Sequence, residues 1–164
     1  MKRYFEKISF EQFKKDIGDN KELYEEYNLP KRGTKNSVGY DFFAIEGFTL
    51  KPGEIKRVPT GYKANFGERE MLMIAVRSSL GFKYNVRMCN SIGFVECDYF
   101  NNESNEGHIW VPLQNEGDKD FVIEKGDAYV QGIFSNFLIT DDDSATDTRK
   151  GGIGSTNKNK KERD

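Results

Sequence analysis

Phe121-Val122-Ile123-Glu124-Lys125-Gly126-Asp127-Ala128-Tyr129-Val130-Gln131-Gly132 consists of two apolar runs separated by a four-residue polar break. β-Branched and aromatic side chains fill the runs, and glycine with aspartate supplies turn chemistry, so the stretch predicts strand, turn, strand. Working outward, similar short apolar or alternating runs occupy 40–45, 54–58, 71–76, 84–89 and 109–114, and the last continues over 128–138. Turn-forming groups punctuate them, among them Lys51-Pro52-Gly53-Glu54, Phe66-Gly67-Glu68, Asn101-Asn102-Glu103 and Asn115-Glu116-Gly117-Asp118. Many short strands at regular spacing predict an all-β sandwich or barrel.

Ahead of the strands the period changes. Residues 1–8 read as a short strand. Ser9 with Gln12 forms a capping box, and Phe10, Phe13 and Ile17 repeat at helical spacing, so a short helix follows. A second helical turn, from Glu22 to Tyr27, stops before Leu29-Pro30 because proline restricts the residue before it. The organisation is thus a β domain over 1–140 with a short N-terminal helical insertion. A flexible arm over 141–164 opens on Asp141-Asp142-Asp143 and carries Arg149-Lys150-Gly151-Gly152-Ile153-Gly154-Ser155-Thr156.

Composition narrows the class. A net charge of −2 does not suit a protein that coats duplex DNA or an acidic membrane surface, so a polyanionic ligand must be held by a local cluster of donors. An apolar content of 36% is lean for 164 residues and favours burial completed in an oligomer. Cys89 and Cys97 lack zinc-ligand or disulfide-framework spacing, and no stretch has a signal core or membrane-spanning length. The expectation is a soluble cytoplasmic protein with no nucleic-acid or membrane partner.

Five segments carry chemistry. In Ser37-Val38-Gly39-Tyr40-Asp41-Phe42, a glycine turn enters a strand with one acid, which reads equally as a turn cap, an arginine partner or a site carboxylate. In Val76-Arg77-Ser78-Ser79-Leu80-Gly81, an arginine leaving a strand into two serines supplies donors to one phosphate, although paired serines are also ordinary turn residues. Asn90-Ser91-Ile92-Gly93-Phe94-Val95-Glu96-Cys97-Asp98-Tyr99 is the densest: an amide, a tight turn, two carboxylates and a tyrosine, read as a hairpin. A carboxylate there can deprotonate water and an aromatic ring can cover a sugar; the plain alternative is solvated acids and a packed tyrosine. The fourth segment, Lys125 to Gly132, puts Gln131 on one face of a strand, where glutamine is also often structural. The fifth is the glycine-rich tail, whose backbone N–H groups, arginine and hydroxyls compose a phosphate clamp.

In order and spacing the five segments closely resemble the trimeric dUTP nucleotidohydrolases (dUTPases), over residues 37 to 157. The family patterns A-G-x-D, R-S-x-x, G-x-I-D-x-D-Y, G-D-R-x-x-Q and R-G-G-F-G-S-T-G find Gly39 and Asp41; Arg77 and Ser78; Gly93, Asp98 and Tyr99; Gly126, Asp127 and Gln131; and Arg149, Gly151, Gly152, Gly154, Ser155 and Thr156. Asn105-Glu106-Gly107-His108-Ile109 and the Asp141–Asp143 linker are most similar to dUTPases of Gram-positive bacteria and their phages. The resemblance implies a jelly-roll (β-clip) barrel, a homotrimer with active sites shared by three subunits, and cleavage of dUTP to dUMP and pyrophosphate. Water would attack the α-phosphorus, and Mg²⁺ would be held by the substrate phosphates with no direct protein ligand. It implies that Asn90, the backbone of Gly93 and Val95 read uracil, and that Tyr99 packs on the deoxyribose. Arg77, Ser78, Ser79, Gln131, Arg149, Gly154, Ser155 and Thr156 bind the triphosphate, Ile153 covers the base, and Asp41 and Glu96 are catalytic.

Four positions depart from the family pattern. Glu96 stands where the water-activating residue is an aspartate, and its extra methylene predicts a slower enzyme. Phe94 and Val95 are expected to limit its solvation, and Asp98, the competing acid, is expected in a strand to point to the opposite side from the residue next to it. Ile153 replaces a stacking phenylalanine, while Ala128 and Phe100 replace basic residues. Two other functions compete: a dUTPase-like nucleotide-binding regulator, which the Glu96 replacement favours, and a dCTP deaminase relative. Deamination needs a further glutamate on the strand after the third motif, and His108-Ile109-Trp110-Val111-Pro112-Leu113-Gln114-Asn115 contains none. His108, the only histidine, reads as a structural or subunit-contact residue.

Overall fold

The computed structural model describes residues 2–147, 149, 151 and 152. It is mainly β. The chain runs β1 (Tyr4–Lys7), α1 (Phe10–Asp16), α2 (Lys21–Glu26), β2 (Tyr40–Phe43), β3 (Phe48–Leu50), β4 (Ile55–Pro59), β5 (Tyr62–Asn65) and β6 (Glu70–Val76). It continues through α3 (Ser78–Tyr84), β7 (Val86–Met88), β8 (Gly93–Glu96), a 3₁₀ turn over Cys97–Tyr99, β9 (Trp110–Asn115), β10 (Phe121–Ile123) and β11 (Ala128–Asn136).

All strand pairs are antiparallel, in a four-stranded sheet β2-β11-β6-β8, a three-stranded sheet β4-β9-β7 and the pairs β1-β5 and β3-β10. Phe42, Leu72, Ile74 and Val130 from the first sheet and Val58, Val86, Met88, Val111 and Leu113 from the second belong to one buried core. Antiparallel sheets that bury one face each and exchange non-consecutive strands compose the expected jelly-roll.

Both N-terminal helices start on side-chain caps, with Ser9 Oγ accepting from Gln12 N–H at 3.1 Å and Asn20 Oδ1 from Leu23 N–H at 3.0 Å. Their apolar faces join an aromatic chain that runs from Phe13 through Tyr27 to Tyr62 and on to Phe42.

Two sequence expectations need correction. The segment after Arg77 is a helix, α3, closed by Asn85 in the left-handed region with φ of 54°. Of its seven residues only Leu80 is buried, so no apolar period announces it. The 90–99 segment is not a hairpin either. β7 pairs with β9, β8 pairs with β6, and the turn at 89–92 carries the chain from one sheet to the other.

Candidate functional site

Residues from three of the five segments converge at the ends of β2, β6 and β11. Gln131 is opposite Asp41 on one side and Ala75 on the other, so both polar side chains share a sheet face. Arg77 leaves β6 beside them, and its Nε lies 3.2 Å from Asp41 Oδ1. Its Nη1 donates to the Ala128 carbonyl at 3.4 Å, and Gln131 Nε2 donates to the Val76 carbonyl at 3.4 Å. Gly39 makes room for this group, since a Cβ there would come within 2.3 Å of Gln131 Oε1. Ser78 is exposed and Ser79 half-buried at the start of α3. A guanidinium and an amide beside one carboxylate, with two serines following Arg77 in the chain, form a donor-rich cluster suited to an anion.

The third segment builds a different feature. A cavity of about 320 Å³ opens at the seam where β8, an edge of the four-stranded sheet, meets β7 and β9. Asn90, Gly93, Val95, Glu96, Tyr99 and Arg149 line it. Its apolar walls come from Ile74, Met88, Ile109, Trp110 and Pro112, which motif spacing did not single out. The half-buried alternate positions of β9, Trp110 and Pro112, are the signal that could have found two of them.

Tyr99 is 7% exposed, and its hydroxyl donates to the His108 carbonyl at 3.1 Å while accepting from Asn105 Nδ2 at 2.8 Å. Burial raises its pKa, against the opposing pull of the Asn105 hydrogen bond and the Arg149 charge. The loop behind it is tied by asparagines: Asn102 Nδ2 donates to the Tyr99 carbonyl at 2.8 Å, and Asn102 Oδ1 accepts from Ser104 and Asn105. Gly107 is required there, with φ of 82° and a would-be Cβ only 2.5 Å from the Tyr99 carbonyl oxygen.

At the mouth, Arg149 joins both acids of the segment. Its Nη2 lies 3.0 Å from Glu96 Oε2, its Nε 3.4 Å from Asp98 Oδ1, and its backbone N–H donates to Asp98 Oδ2 at 3.2 Å. Asp98, expected in a strand, lies instead in the 3₁₀ turn Cys97–Tyr99, where alternation of faces does not hold. Solvation of Glu96 is not limited as expected. Its side chain is 54% exposed and Phe94 is 59% exposed, because β8 is an edge strand and both residues face outward beside Met71 and Met73. Ile153, Gly154, Ser155 and Thr156 lie outside the described residues.

His108 is wholly buried. Its Nε2 accepts from Gly61 N–H at 2.9 Å and its Nδ1 lies 2.5 Å from Asp16 Oδ2, a pairing that assigns the proton to Nδ1. Burial lowers its pKa, although Asp16 and Glu106 act in the opposite direction.

Among the described residues no three His, Cys, Asp or Glu side chains gather as a metal cage, and no helix is long and apolar enough to cross a membrane. A magnesium ion carried by phosphates does not need such a cage, since it keeps most of its waters and takes one or two carboxylates. Asp41, beside the Arg77 cation, would order such an ion's water shell without ligating it directly.

A family model described as dUTPase matches residues 25–157. The chain is 45% identical over 131 residues to the deoxyuridine 5'-triphosphate nucleotidohydrolase of Lactococcus lactis, covering 79% of this chain and 87% of that one. It is 33% identical over 141 residues to the enzyme of the same name from Mannheimia succiniciproducens, covering 81% and 89% of the two chains. Among solved structures, the dUTPase of Streptococcus mutans superposes with a TM-score of 0.69 at 37% identity, covering 84% of this chain and 98% of that one. A dUTPase from phage phi11 of S. aureus, at 14% identity, shares the fold with a TM-score of 0.65 over 90% of this chain and 98% of that one.

Proposed function

Because the chain belongs to the dUTPase family, we propose that it cleaves dUTP to dUMP and pyrophosphate by attack of water on the α-phosphorus, in a site shared between copies of a homotrimer. The observation that carries this reading is the division of the site into a pocket and a donor cluster. Gln131 pairs with Ala75 and Glu96 with Met71, so four residues along the ladder and two strand spacings across it separate them. That is about 13 Å by about 10 Å, or roughly 16 Å. One triphosphate does not span that distance while a water activated by Glu96 also reaches its α-phosphorus, so the donors of one copy serve the pocket of another. The outward strip of Met71, Met73, Ile133 and exposed Phe94 on the same sheet supplies an apolar surface for the contact.

In the pocket, Asn90 and the backbone of Gly93 and Val95 read the base edge. A fixed donor and acceptor pair accepts uracil and mispairs with a cytosine amino group. The Tyr99 ring packs on the deoxyribose and leaves no room for a 2′-hydroxyl. Glu96 takes the proton from the attacking water. Arg77, Ser78, Ser79, Gln131 and Arg149 spread the charge of the phosphates, which is most of what phosphoryl transfer asks of a protein. Ile153, Gly154, Ser155 and Thr156 complete the clamp. Mg²⁺ bound by the phosphates would supply further charge neutralisation, and Asp41 would order its water shell. The protein works in the cytoplasm.

Pyrophosphate release from dUTP, dCTP, dTTP and UTP with Mg²⁺ tests the proposal. Rapid release from dUTP alone is expected; tight dUTP binding without release would overturn the catalytic reading in favour of a regulator.

A further inference from the structure

The first 24 residues lie ahead of the segment that the family model matches, yet α1 grips the loop behind the pocket at both of its ends. At its N-terminus, Ser9 donates to Glu106 from its backbone N–H at 2.9 Å and from its hydroxyl. Lys63, itself buried, backs this contact at 3.6 Å from Glu106 and 2.7 Å from Asn101 Oδ1. At the other end, Asp16 accepts from His108 Nδ1 at 2.5 Å and from Gln12 Nε2 at 2.8 Å. Residues 106 and 108 are thus pinned to opposite ends of one seven-residue helix, about 10 Å apart.

Between those pins lies the carbonyl that matters. The His108 imidazole is held on both nitrogens, by Asp16 and by Gly61 N–H, so the residue cannot pivot. Its carbonyl oxygen accepts from the Tyr99 hydroxyl at 3.1 Å and from Asn105 Nδ2 at 3.3 Å. The next two residues, Ile109 and Trp110, line the pocket, and the Trp110 ring is 5.2 Å from the His108 ring. A shift of His108 therefore moves the anchor of Tyr99 and two further walls together. Buried polar networks of this kind specify one geometry only when every member is satisfied.

We propose that α1 is a brace for the nucleotide pocket and that Asp16 is its positioning residue, acting through His108 to fix the Tyr99 ring. The idea that this ring faces the deoxyribose rests on the function proposed above; the brace itself rests on the contacts just described.

The test uses the full chain and its single tryptophan, Trp110. Affinity for dUMP is read from Trp110 fluorescence, and the dUTP-to-UTP ratio of kcat/KM from pyrophosphate release. Asp16→Asn should weaken dUMP about tenfold and raise the KM for dUTP similarly with kcat little changed, the scale expected for a small displacement of a binding group. Asp16→Glu, which keeps the charged carboxylate that Asn replaces with a weaker, neutral amide acceptor, should recover most of the affinity. Gln12→Ala removes the other partner of Asp16 without touching His108, and should lower the melting temperature yet leave dUMP affinity unchanged. In a Tyr99→Phe background, Asp16→Asn should add clearly less than it does in the parent, because the hydroxyl through which it fixes the ring is gone and only the shift of the 109–110 walls is left. Full multiplication of the two effects, or unchanged dUMP affinity in Asp16→Asn, would overturn the brace. If instead Tyr99→Ala retains the preference for dUTP over UTP, the sugar reading fails while dUMP affinity still decides the role of Asp16.

Discussion

The Arg149 guanidinium lies 3.0 Å from the Glu96 carboxylate, so the cation of the C-terminal arm meets the proposed general base of the same chain. The Glu96 side chain is 54% exposed and that of Arg149 13%, so water screens the pair from the Glu96 side. A triphosphate that draws Arg149 away would leave Glu96 free for water.

Glu96→Gln should retain nucleotide binding and lose at least about a hundredfold in turnover, the usual scale for a positioned base. Asp98→Asn removes only the second acid on Arg149 and should cost much less, mainly in KM. Single-turnover measurements with each variant separate binding from chemistry. Turnover by Glu96→Gln at the parent rate would place the base elsewhere.

Deleting residues 147–164 should leave the β fold and the oligomer unchanged while removing most activity, because Arg149 and the remaining clamp residues go together. Arg149→Ala should reproduce much of that loss. Circular dichroism, light scattering and pyrophosphate release on the truncated chain are the measurements, and full turnover would end the phosphate-clamp reading.

Gly39→Ala and Gly132→Ala should fail in different ways. A Cβ at Gly39 meets the movable end of Gln131 at 2.3 Å, so the amide is displaced from the donor cluster and the KM for dUTP rises while the melting temperature holds. At Gly132 the Cβ meets Phe42 and Leu72 of the core at 3.0 and 3.1 Å. Overpacking of this kind costs about 1–3 kcal/mol, and should appear as a lower melting temperature with the KM unchanged.

Stability should also fall in mild acid. His108 ordinarily titrates at 6.5, and burial lowers that value in the folded protein. Below 6.5 the unfolded chain takes up a proton that the folded one resists, so the contribution of neutral His108 is complete above 6.5 and is lost as the pH falls toward the folded value. Protonation would also remove the acceptor for Gly61 N–H. Melting temperatures from pH 8 to 5 should drop below pH 6.5 in the parent and drop less in His108→Gln.

Base selection should follow the pocket. At matched concentrations dUTP should exceed dCTP by at least about a hundredfold in kcat/KM, since an unpaired amino group in a fixed hydrogen-bonding site is strongly rejected. Asn90→Ala should narrow that ratio without altering the fold, because Asn90 is exposed at the rim.

The β architecture, the two N-terminal helical segments, the first of them with its Ser9 cap, and the five motif segments were legible in residue order, because strand alternation, turn glycines and N-caps act over a few residues. The sequence also singled out the acid and the arginines proposed to carry the chemistry, since those are matters of residue type and spacing. Tertiary structure decided what local pattern does not encode. α3 buries only Leu80, so its helical state depends on where Arg77 leaves β6. The 90–99 segment joins two sheets because the strands on either side of its turn find partners 19 residues away or more, a choice made by the whole core. The meeting of Arg149 with Glu96 and Asp98 and the grip of Ser9 and Asp16 on the Tyr99 loop depend on contacts between residues 50 to 100 positions apart. Packing brings such residues together after the chain has folded, and no periodicity along the sequence records it.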